Sequence, residues 1–182
     1  MKRFSLVLIS VLITSFTHTY AQAIATDDSK INWMTLEEAF QATKKEPRKV
    51  LVDVYTSWCG WCKVMDQKTF SDPKVISYVN QKYYAVKLDA EQKADIVIGE
   101  QKYTWQNGYN QAGQALLQNR MSFPTIVYLD ERFSMIQPVP GYQDAPNFHK
   151  IIVYFGDNYF KKGEWDKFQK EVYPSLYGMA SR

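Results

Sequence analysis

The most restrictive feature of this chain is the position of its two cysteines, Cys59 and Cys62, where one hydrophobic pattern gives way to another. Before them, residues 48–56 form an apolar run rich in β-branched side chains, which is typical of a buried central strand. From Cys59 onward, residues 59–70 carry apolar side chains at helical spacing. Because a further strand is predicted over residues 83–89, the pattern indicates a βαβ unit with the cysteines at the strand-to-helix junction.

Local signals predict the other elements. Thr35 and Glu38 match a capping box that opens a helix over about residues 36–45, and Ser71-Asp72-Pro73 starts another helix before the second strand. The remaining predicted elements are a small hairpin of residues 96–98 and 102–105, a short helix over 111–119, a hairpin of residues 124–129 and 133–137, a helix from Asp144, and a last short helix around Trp165 and Phe168.

The first 23 residues have the features of a secretory signal peptide. A basic start at Lys2 and Arg3 is followed by an apolar run over residues 4–16, and Ala21-Gln22-Ala23 supplies the pattern of a cleavage site. The apolar run is shorter than the roughly 20 residues that span a bilayer, and an uncleaved membrane anchor is the alternative. The sequence therefore predicts an exported, periplasmic or otherwise secreted protein, soluble after cleavage near Ile24.

The mature chain, residues 24–182, is long enough for a single domain with its own hydrophobic core. Without Lys2 and Arg3 it has 20 basic and 19 acidic residues, a net charge of +1. This balance gives no indication of a nucleic-acid partner or of an anionic membrane surface. No segment is dedicated to dimerisation, so a monomer is expected.

The cysteine pair is better explained by chemistry than by stability. Disulfides persist in exported proteins, but a bridge between residues three positions apart removes little entropy from the unfolded chain. A cysteine at a helix N-terminus faces unpaired backbone N–H groups and the positive end of the helix dipole, which stabilise the thiolate. Because the thiolate attacks in disulfide exchange, Cys59 is the predicted nucleophile, and Cys62, one turn later, is the predicted resolving thiol.

Three motifs in this order, Val52-Asp53-Val54, Trp58-Cys59-Gly60-Trp61-Cys62-Lys63 and Phe123-Pro124-Thr125, resemble those of the thioredoxin superfamily. The resemblance covers about residues 50–137, with an insertion over about residues 95–120 that some exported bacterial members share. It implies a thioredoxin-like three-layer α/β/α sandwich with a central mixed β-sheet. It also implies a thiol–disulfide oxidoreductase that needs no bound cofactor, because its redox group is the Cys59–Cys62 disulfide.

The resemblance assigns roles to two further residues. Pro124 should follow a cis peptide bond beside the cysteine pair, where the exposed backbone can pair with an extended substrate; the alternative is an ordinary proline at the start of a strand. Asp53 matches a buried acid beneath the disulfide, whose pKa would be raised by desolvation so that it accepts a proton from Cys62. The alternative for Asp53 is an edge-strand position facing water.

Aromatic side chains near these motifs are candidates for contacts with a partner. Trp58 and Trp61 are predicted to form an apolar rim for a protein substrate, together with Gly60, Phe123 and Pro124. In the insertion, Tyr103, Trp105 and Tyr109 would form either a docking surface or an aromatic cover over a sheet edge.

The buried acid favours a reductase that reduces disulfides of other exported proteins and is recharged by a membrane electron donor. Gly60-Trp61 differs from the Gly-Pro of typical thioredoxins and from the Pro-His of strongly oxidising relatives, so an oxidase or an isomerase stays open as an alternative. A metal-binding module is the alternative from another class. A closed zinc site needs four ligands, however, and the mature chain offers only His149 besides the two cysteines.

Overall fold

The computed structural model describes residues 29–178. The predicted signal peptide, residues 1–23, and the expected new N-terminus near Ile24 lie outside this range. The strands are β1 (Trp33–Met34), β2 (Lys49–Tyr55), β3 (Tyr83–Asp89), β4 (Ile96–Ile98), β5 (Gln101–Tyr103), β6 (Trp105–Gln106), β7 (Tyr109–Asn110), β8 (Thr125–Leu129) and β9 (Met135–Pro140). The α-helices are α1 (Leu36–Lys45), α2 (Gly60–Lys68), α3 (Pro73–Lys82), α4 (Gln111–Leu116), α5 (Ala145–Gly156), α6 (Trp165–Lys167) and α7 (Tyr173–Tyr177).

The main sheet has five strands in the order β1-β3-β2-β8-β9. Strands β1, β3 and β2 run parallel, whereas β8 is antiparallel to β2 and β9 is antiparallel to β8. The predicted apolar strand is thus β2. It lies at the centre of the sheet, where both of its faces are covered along most of its length. The mixed sheet and the α/β class that the resemblance implies are confirmed.

Each face of the sheet is covered by helices, which gives the three layers. Helices α2, α3 and α5 cover one face, with core residues Leu51, Met65, Val75, Val79, Tyr128, Phe148, Ile152 and Phe155. Helices α1 and α4 and the β4–β5 hairpin cover the other face, with core residues Leu36, Ala39, Val52, Val54, Val86, Ile96, Ala112 and Val127. Within residues 29–178, no helix combines the length and the apolar character needed to cross a bilayer.

The helix starts follow from the predicted caps. Thr35 Oγ1 accepts the N–H of Glu38 at 3.1 Å, while Glu38 Oε2 accepts the N–H of Thr35 at 2.8 Å, so the capping box of α1 is confirmed. Asp72 caps α3 by accepting the N–H groups of Lys74 and Val75, and Pro73 occupies the first helical position.

The insertion differs from the prediction of one hairpin. Strands β4 and β5 form the first hairpin and β6 and β7 form a second one. The break falls at Thr104, because its N–H and its hydroxyl donate to Gln111 Oε1 and its carbonyl accepts the N–H of Gln111. Trp105 therefore belongs to the second hairpin, not to the first.

Left-handed backbone conformations explain two further boundary errors. Helix α4 ends at Leu116 rather than at residue 119, because Gln118 and Asn119 have φ angles of +52° and +61°. Strand β9 begins at Met135 rather than at Phe133, whose φ angle is +65°. The predicted last short helix is longer and irregular: a turn of 3-10 helix (Tyr159–Lys161) precedes α6, and a π-helical segment (Phe168–Val172) joins α6 to α7.

The two edge strands of the main sheet, β1 and β9, are poorly suited to pair with a further strand. Strand β1 has only two residues, and β9 contains Pro138 and Pro140. The N–H of Gly141 donates to the carbonyl of Pro124 at 2.8 Å, so the backbone nitrogen of Gly141 faces the interior of the sheet. Because successive residues of a strand alternate in direction, the nitrogens of Pro138 and Pro140 face outward.

Candidate active site

Cys59 and Cys62 form a disulfide at the N-terminus of α2, with their Cα atoms 5.3 Å apart. Cys59 is the N-cap residue, and its Sγ accepts the N–H of Cys62 at 3.1 Å. The two cysteines are 4% and 3% exposed, so a partner must dock against the surrounding surface to reach either sulfur. When the disulfide is reduced, the N–H of Cys62 and the dipole of α2 stabilise a thiolate at Cys59.

Asp53 lies on β2, the strand that leads into the cysteine motif, and its side chain is 1% exposed. Strand β2 is hydrogen-bonded to β3 on one side and to β8 on the other, so the alternative of an edge-strand aspartate is wrong. Burial raises the pKa of Asp53 to about 6, although the ammonium group of Lys87 acts in the opposite direction.

Lys87 lies directly opposite Asp53 in the register of β2 and β3, and its Nζ is 2.7 Å from Asp53 Oδ2. The same Nζ contacts Asp66 Oδ1 on α2, which is 44% exposed. Burial lowers the pKa of Lys87, but the two carboxylates more than offset this effect and raise it above its usual value. Three aromatic rings surround the ammonium group, each with its centroid 5.1 Å from Nζ: Trp33, Tyr55 and Phe70.

Two tryptophans beside the disulfide are largely exposed. Trp58 and Trp61 directly precede the two cysteines, and each is 61% exposed. The indole N–H of Trp58 donates to Glu91 Oε1 at 2.9 Å, which fixes the ring in position. The ring of Trp61 lies 5.2 Å from that of Tyr142.

The structure also shows where the other residues predicted to contact substrate lie. The Phe123–Pro124 peptide bond is cis, and Pro124 is buried at the start of β8. The ring of Phe123 packs edge-to-face on Trp58, with centroids 5.8 Å apart. Gly60 is exposed, and no atom lies within 4 Å of the place a Cβ would occupy.

A family model and several known proteins are similar to this chain. The family model Thioredox_DsbH, described as "Protein of unknown function, DUF255", matches residues 14–162, which is most of the chain. The chain belongs to this family. The thiol:disulfide interchange protein DsbD of Photorhabdus laumondii is 29% identical over 126 residues, covering 66% of this chain and 18% of that protein.

Two solved structures share the fold with this DsbH-family chain. A thioredoxin-fold protein from Helicobacter pylori superposes with a TM-score of 0.56 at 14% identity, covering 87% of this chain and 97% of that chain. A DsbH oxidoreductase superposes with a TM-score of 0.52 at 16% identity, covering 70% and 85%. The chain spans between 8% and 18% of the length of the first curated relatives it matches.

The chain thus has a thioredoxin-like fold, belongs to the Thioredox_DsbH family and carries the Cys59–Cys62 pair that thiol–disulfide exchange requires. No group of three or more His, Cys, Asp or Glu side chains within residues 29–178 is arranged to hold a metal ion. His149 is the further residue considered above as a ligand of a metal-binding module. It is buried in α5, and its Nδ1 lies 2.8 Å from the hydroxyl of Tyr173.

The three insertion aromatics do not form one surface. Tyr103 packs against the apolar core beside α1, which matches the alternative of an aromatic cover. Trp105 is 41% exposed. The ring of Tyr109 packs against Phe123, with centroids 6.0 Å apart. Only Tyr109 of the three therefore touches the residues around the disulfide.

Four residues of the site were not predicted from the sequence: Lys87, Asp66, Glu91 and Tyr142. Lys87 gave a usable signal, because a lysine interrupts an otherwise apolar predicted strand just as Asp53 interrupts the preceding one. Two opposite charges in adjacent buried parallel strands are expected to pair if the register brings them together. For the other three residues, no pattern in the sequence points to their contacts.

Proposed function

We propose that this chain is an exported reductase that passes electrons from the Cys59–Cys62 dithiol to disulfides of other exported proteins. The observation that carries the proposal is the buried Asp53, whose raised pKa suits it to accept a proton near neutral pH. The signal-peptide pattern of residues 1–23 supports export. The relative named as a thiol:disulfide interchange protein supports the same class of reaction.

The proposed reaction has two exchange steps. The Cys59 thiolate attacks one sulfur of the substrate disulfide, forming a mixed disulfide and releasing the other substrate sulfur as a thiolate. Asp53 then accepts the proton of the Cys62 thiol. The Cys62 thiolate attacks Cys59 Sγ, which forms the Cys59–Cys62 disulfide and releases the second substrate sulfur. Two electrons pass to the substrate, which becomes a dithiol.

The oxidised chain must then be recharged. We assign this step to a dithiol of a membrane electron donor, which reduces Cys59–Cys62 by the same exchange run in the opposite direction. The exposed Trp58 and Trp61, with Gly60, Phe123 and the cis peptide bond before the buried Pro124, form the surface that both partners contact during exchange. The chain acts as a monomer in this scheme.

The reduction potential of the Cys59–Cys62 couple tests the direction of the reaction. The oxidised protein is equilibrated with defined thiol–disulfide buffers, and the fraction reduced is measured by thiol alkylation and mass spectrometry. A value near about −270 mV, as in thioredoxin, supports the reductase. A value near about −120 mV, as in a strong oxidant, overturns the proposed direction and favours the oxidase alternative.

A trapping experiment tests the roles of the two cysteines. Cys62→Ser should accumulate mixed disulfides with proteins of an exported-protein extract, because the resolving thiol is missing. Cys59→Ser is the matched control and should accumulate none, because it lacks the N-cap thiolate that the start of α2 stabilises. Equal trapping by both variants would overturn the assignment of nucleophile and resolving thiol.

A further inference from the structure

A continuous row of three aromatic rings runs from the disulfide to the insertion. Trp58, next to Cys59, contacts Phe123 at a centroid distance of 5.8 Å, and Phe123 contacts Tyr109 at 6.0 Å. Trp58 is largely exposed, and Phe123 and Tyr109 are partly exposed. The insertion thus extends the apolar surface beside the reactive sulfur by one ring.

The position of Tyr109 is fixed by its neighbour Asn110, which is fully buried. The side-chain amide of Asn110 donates to the carbonyls of Gln92 and Ala94, and its backbone N–H donates to the carbonyl of Ala90 at 2.7 Å. These three carbonyls belong to the loop after β3, which also carries Glu91, the hydrogen-bond acceptor of Trp58. One loop therefore positions both ends of the aromatic row.

Trp105 belongs to the same β6–β7 hairpin but not to the row. In the register of this hairpin Trp105 lies opposite Asn110, whereas Tyr109 lies opposite Gln106. Because paired residues share a face and successive residues alternate, Trp105 and Tyr109 project from opposite faces. The Trp105 ring instead has Lys93 Nζ 5.8 Å from its centroid.

We propose that Tyr109 is a specificity-determining residue, which binds a bulky apolar or aromatic side chain close to the cysteine of an extended substrate segment. The inference rests on the proposed function, because a substrate disulfide that reaches Cys59 must be held against these rings. Cys59 is only 4% exposed, so the reacting sulfur cannot arrive without its neighbouring residues contacting the surface. An apolar side chain there removes exposed aromatic area from water and gains the ring–ring contact energy.

The test uses a series of peptides that share one parent sequence. Each peptide carries a single cysteine, joined by a disulfide to 2-mercaptoethanol, in an otherwise serine-rich sequence. A phenylalanine is placed, one peptide at a time, at each of four positions: the two residues before the cysteine and the two residues after it. The rate of exchange with the reduced protein is divided by the rate for the peptide without phenylalanine, so each protein variant serves as its own reference.

The wild-type protein should prefer at least one phenylalanine position by about 3- to 10-fold, the range expected for one aromatic contact. Tyr109→Ala should reduce this ratio to about 1, and Tyr109→Phe should keep it because the ring is retained. Trp105→Ala is the matched control from the same hairpin and should keep the wild-type ratio. If Tyr109→Ala keeps the preference, or Trp105→Ala loses as much of it, the inference is overturned.

A second measurement does not depend on the folding of Tyr109→Ala. The mixed disulfide of Cys62→Ser with the preferred peptide should show nuclear Overhauser contacts between the peptide ring and Tyr109. Contacts with Trp105 instead would overturn the inference. Exchange without any phenylalanine preference in the wild type overturns this inference alone, whereas no exchange with any peptide overturns the proposed function as well.

Discussion

Asp53 and Lys87 occupy the same register position on two adjacent parallel strands, with Lys87 Nζ 2.7 Å from Asp53 Oδ2. The pairing is unequal in exposure, because Asp53 is 1% exposed and Lys87 is 21% exposed. Neither oxygen of Asp53 accepts an aligned hydrogen bond from another side chain or backbone group in residues 29–178. The carboxylate is thus compensated mainly by one ammonium group, which another carboxylate, Asp66, also contacts.

Asp53→Asn should stabilise the oxidised protein at pH 8. The pKa of Asp53 is raised from 3.8 to about 6, so the folded chain holds more protons than the unfolded chain between these values. Stability contributed by this group therefore falls as pH rises through that window and is lowest above about pH 6. At about 1.4 kcal/mol per pKa unit, the variant gains up to about 3 kcal/mol at pH 8.

Urea unfolding at pH 4 and pH 8 measures this effect. The gain of Asp53→Asn should nearly vanish at pH 4, where the wild-type carboxyl is largely protonated in the folded protein. Asp166→Asn is the control, because Asp166 is 71% exposed and its contact with Lys170 is 3.6 Å long. It should change the free energy of unfolding little at either pH. An equal gain for Asp53→Asn at both pH values contradicts the assignment.

Lys87→Met should destabilise the protein at pH 8, because it leaves the Asp53 carboxylate buried without its counter-charge. The expected loss is about 3 kcal/mol, at the lower end for a broken buried pair because Lys87 is partly exposed. The double variant Asp53→Asn with Lys87→Met should recover most of this loss. A double-mutant cycle from urea unfolding at pH 8 gives the coupling free energy, and a value near zero would show that the two residues act independently.

Asp53→Asn should slow the resolving step of disulfide exchange about 100-fold or more, because a general base typically contributes about 100- to 10,000-fold. The rate at which a mixed disulfide on Cys59 is resolved by Cys62 is measured in single-turnover experiments from pH 5 to pH 9. The wild-type profile should bend near pH 6 and the variant profile should lack this bend. An unchanged rate across the range contradicts the proton-acceptor role.

Gly156→Ala should destabilise the protein by about 1–3 kcal/mol through overpacking. A Cβ at this position would lie 2.7 Å from the hydroxyl of Tyr78 and 3.1 Å from that of Tyr83, and both tyrosines are buried. Gly163→Ala is the matched control, because no atom lies within 4 Å of its Cβ position. Thermal unfolding should show a lower midpoint for Gly156→Ala only; equal midpoints for the two variants would contradict this packing.

The parts of the fold that depend on neighbouring residues could be predicted from the sequence. The capping box at Thr35, the proline start of α3 and the apolar strand β2 are local signals, and all three elements form at the expected positions. The cysteine pair was placed at the start of α2 for the same reason, because strand and helix periodicities change there.

The parts that depend on register or on loop packing could not be predicted. Asp53 and Lys87 are 34 positions apart, and only the pairing of β2 with β3 brings them together. The contact of Trp61 with Tyr142 joins α2 to a loop after β9, and the split of the insertion into two hairpins depends on the side chain of Gln111. Apart from the lysine that interrupts the apolar pattern of β3, nothing in the sequence indicates these contacts.

The outward-facing prolines of β9 limit backbone pairing between this edge of the sheet and a strand of another polypeptide. A strand joining the sheet at this edge would find no N–H donor at Pro138 or Pro140, so the ladder of backbone hydrogen bonds could not continue. The opposite edge, β1, is two residues long and gives a second strand little to align with. Within residues 29–178, neither edge of the main sheet therefore offers a long row of outward N–H donors to a strand from another copy or from an extended substrate.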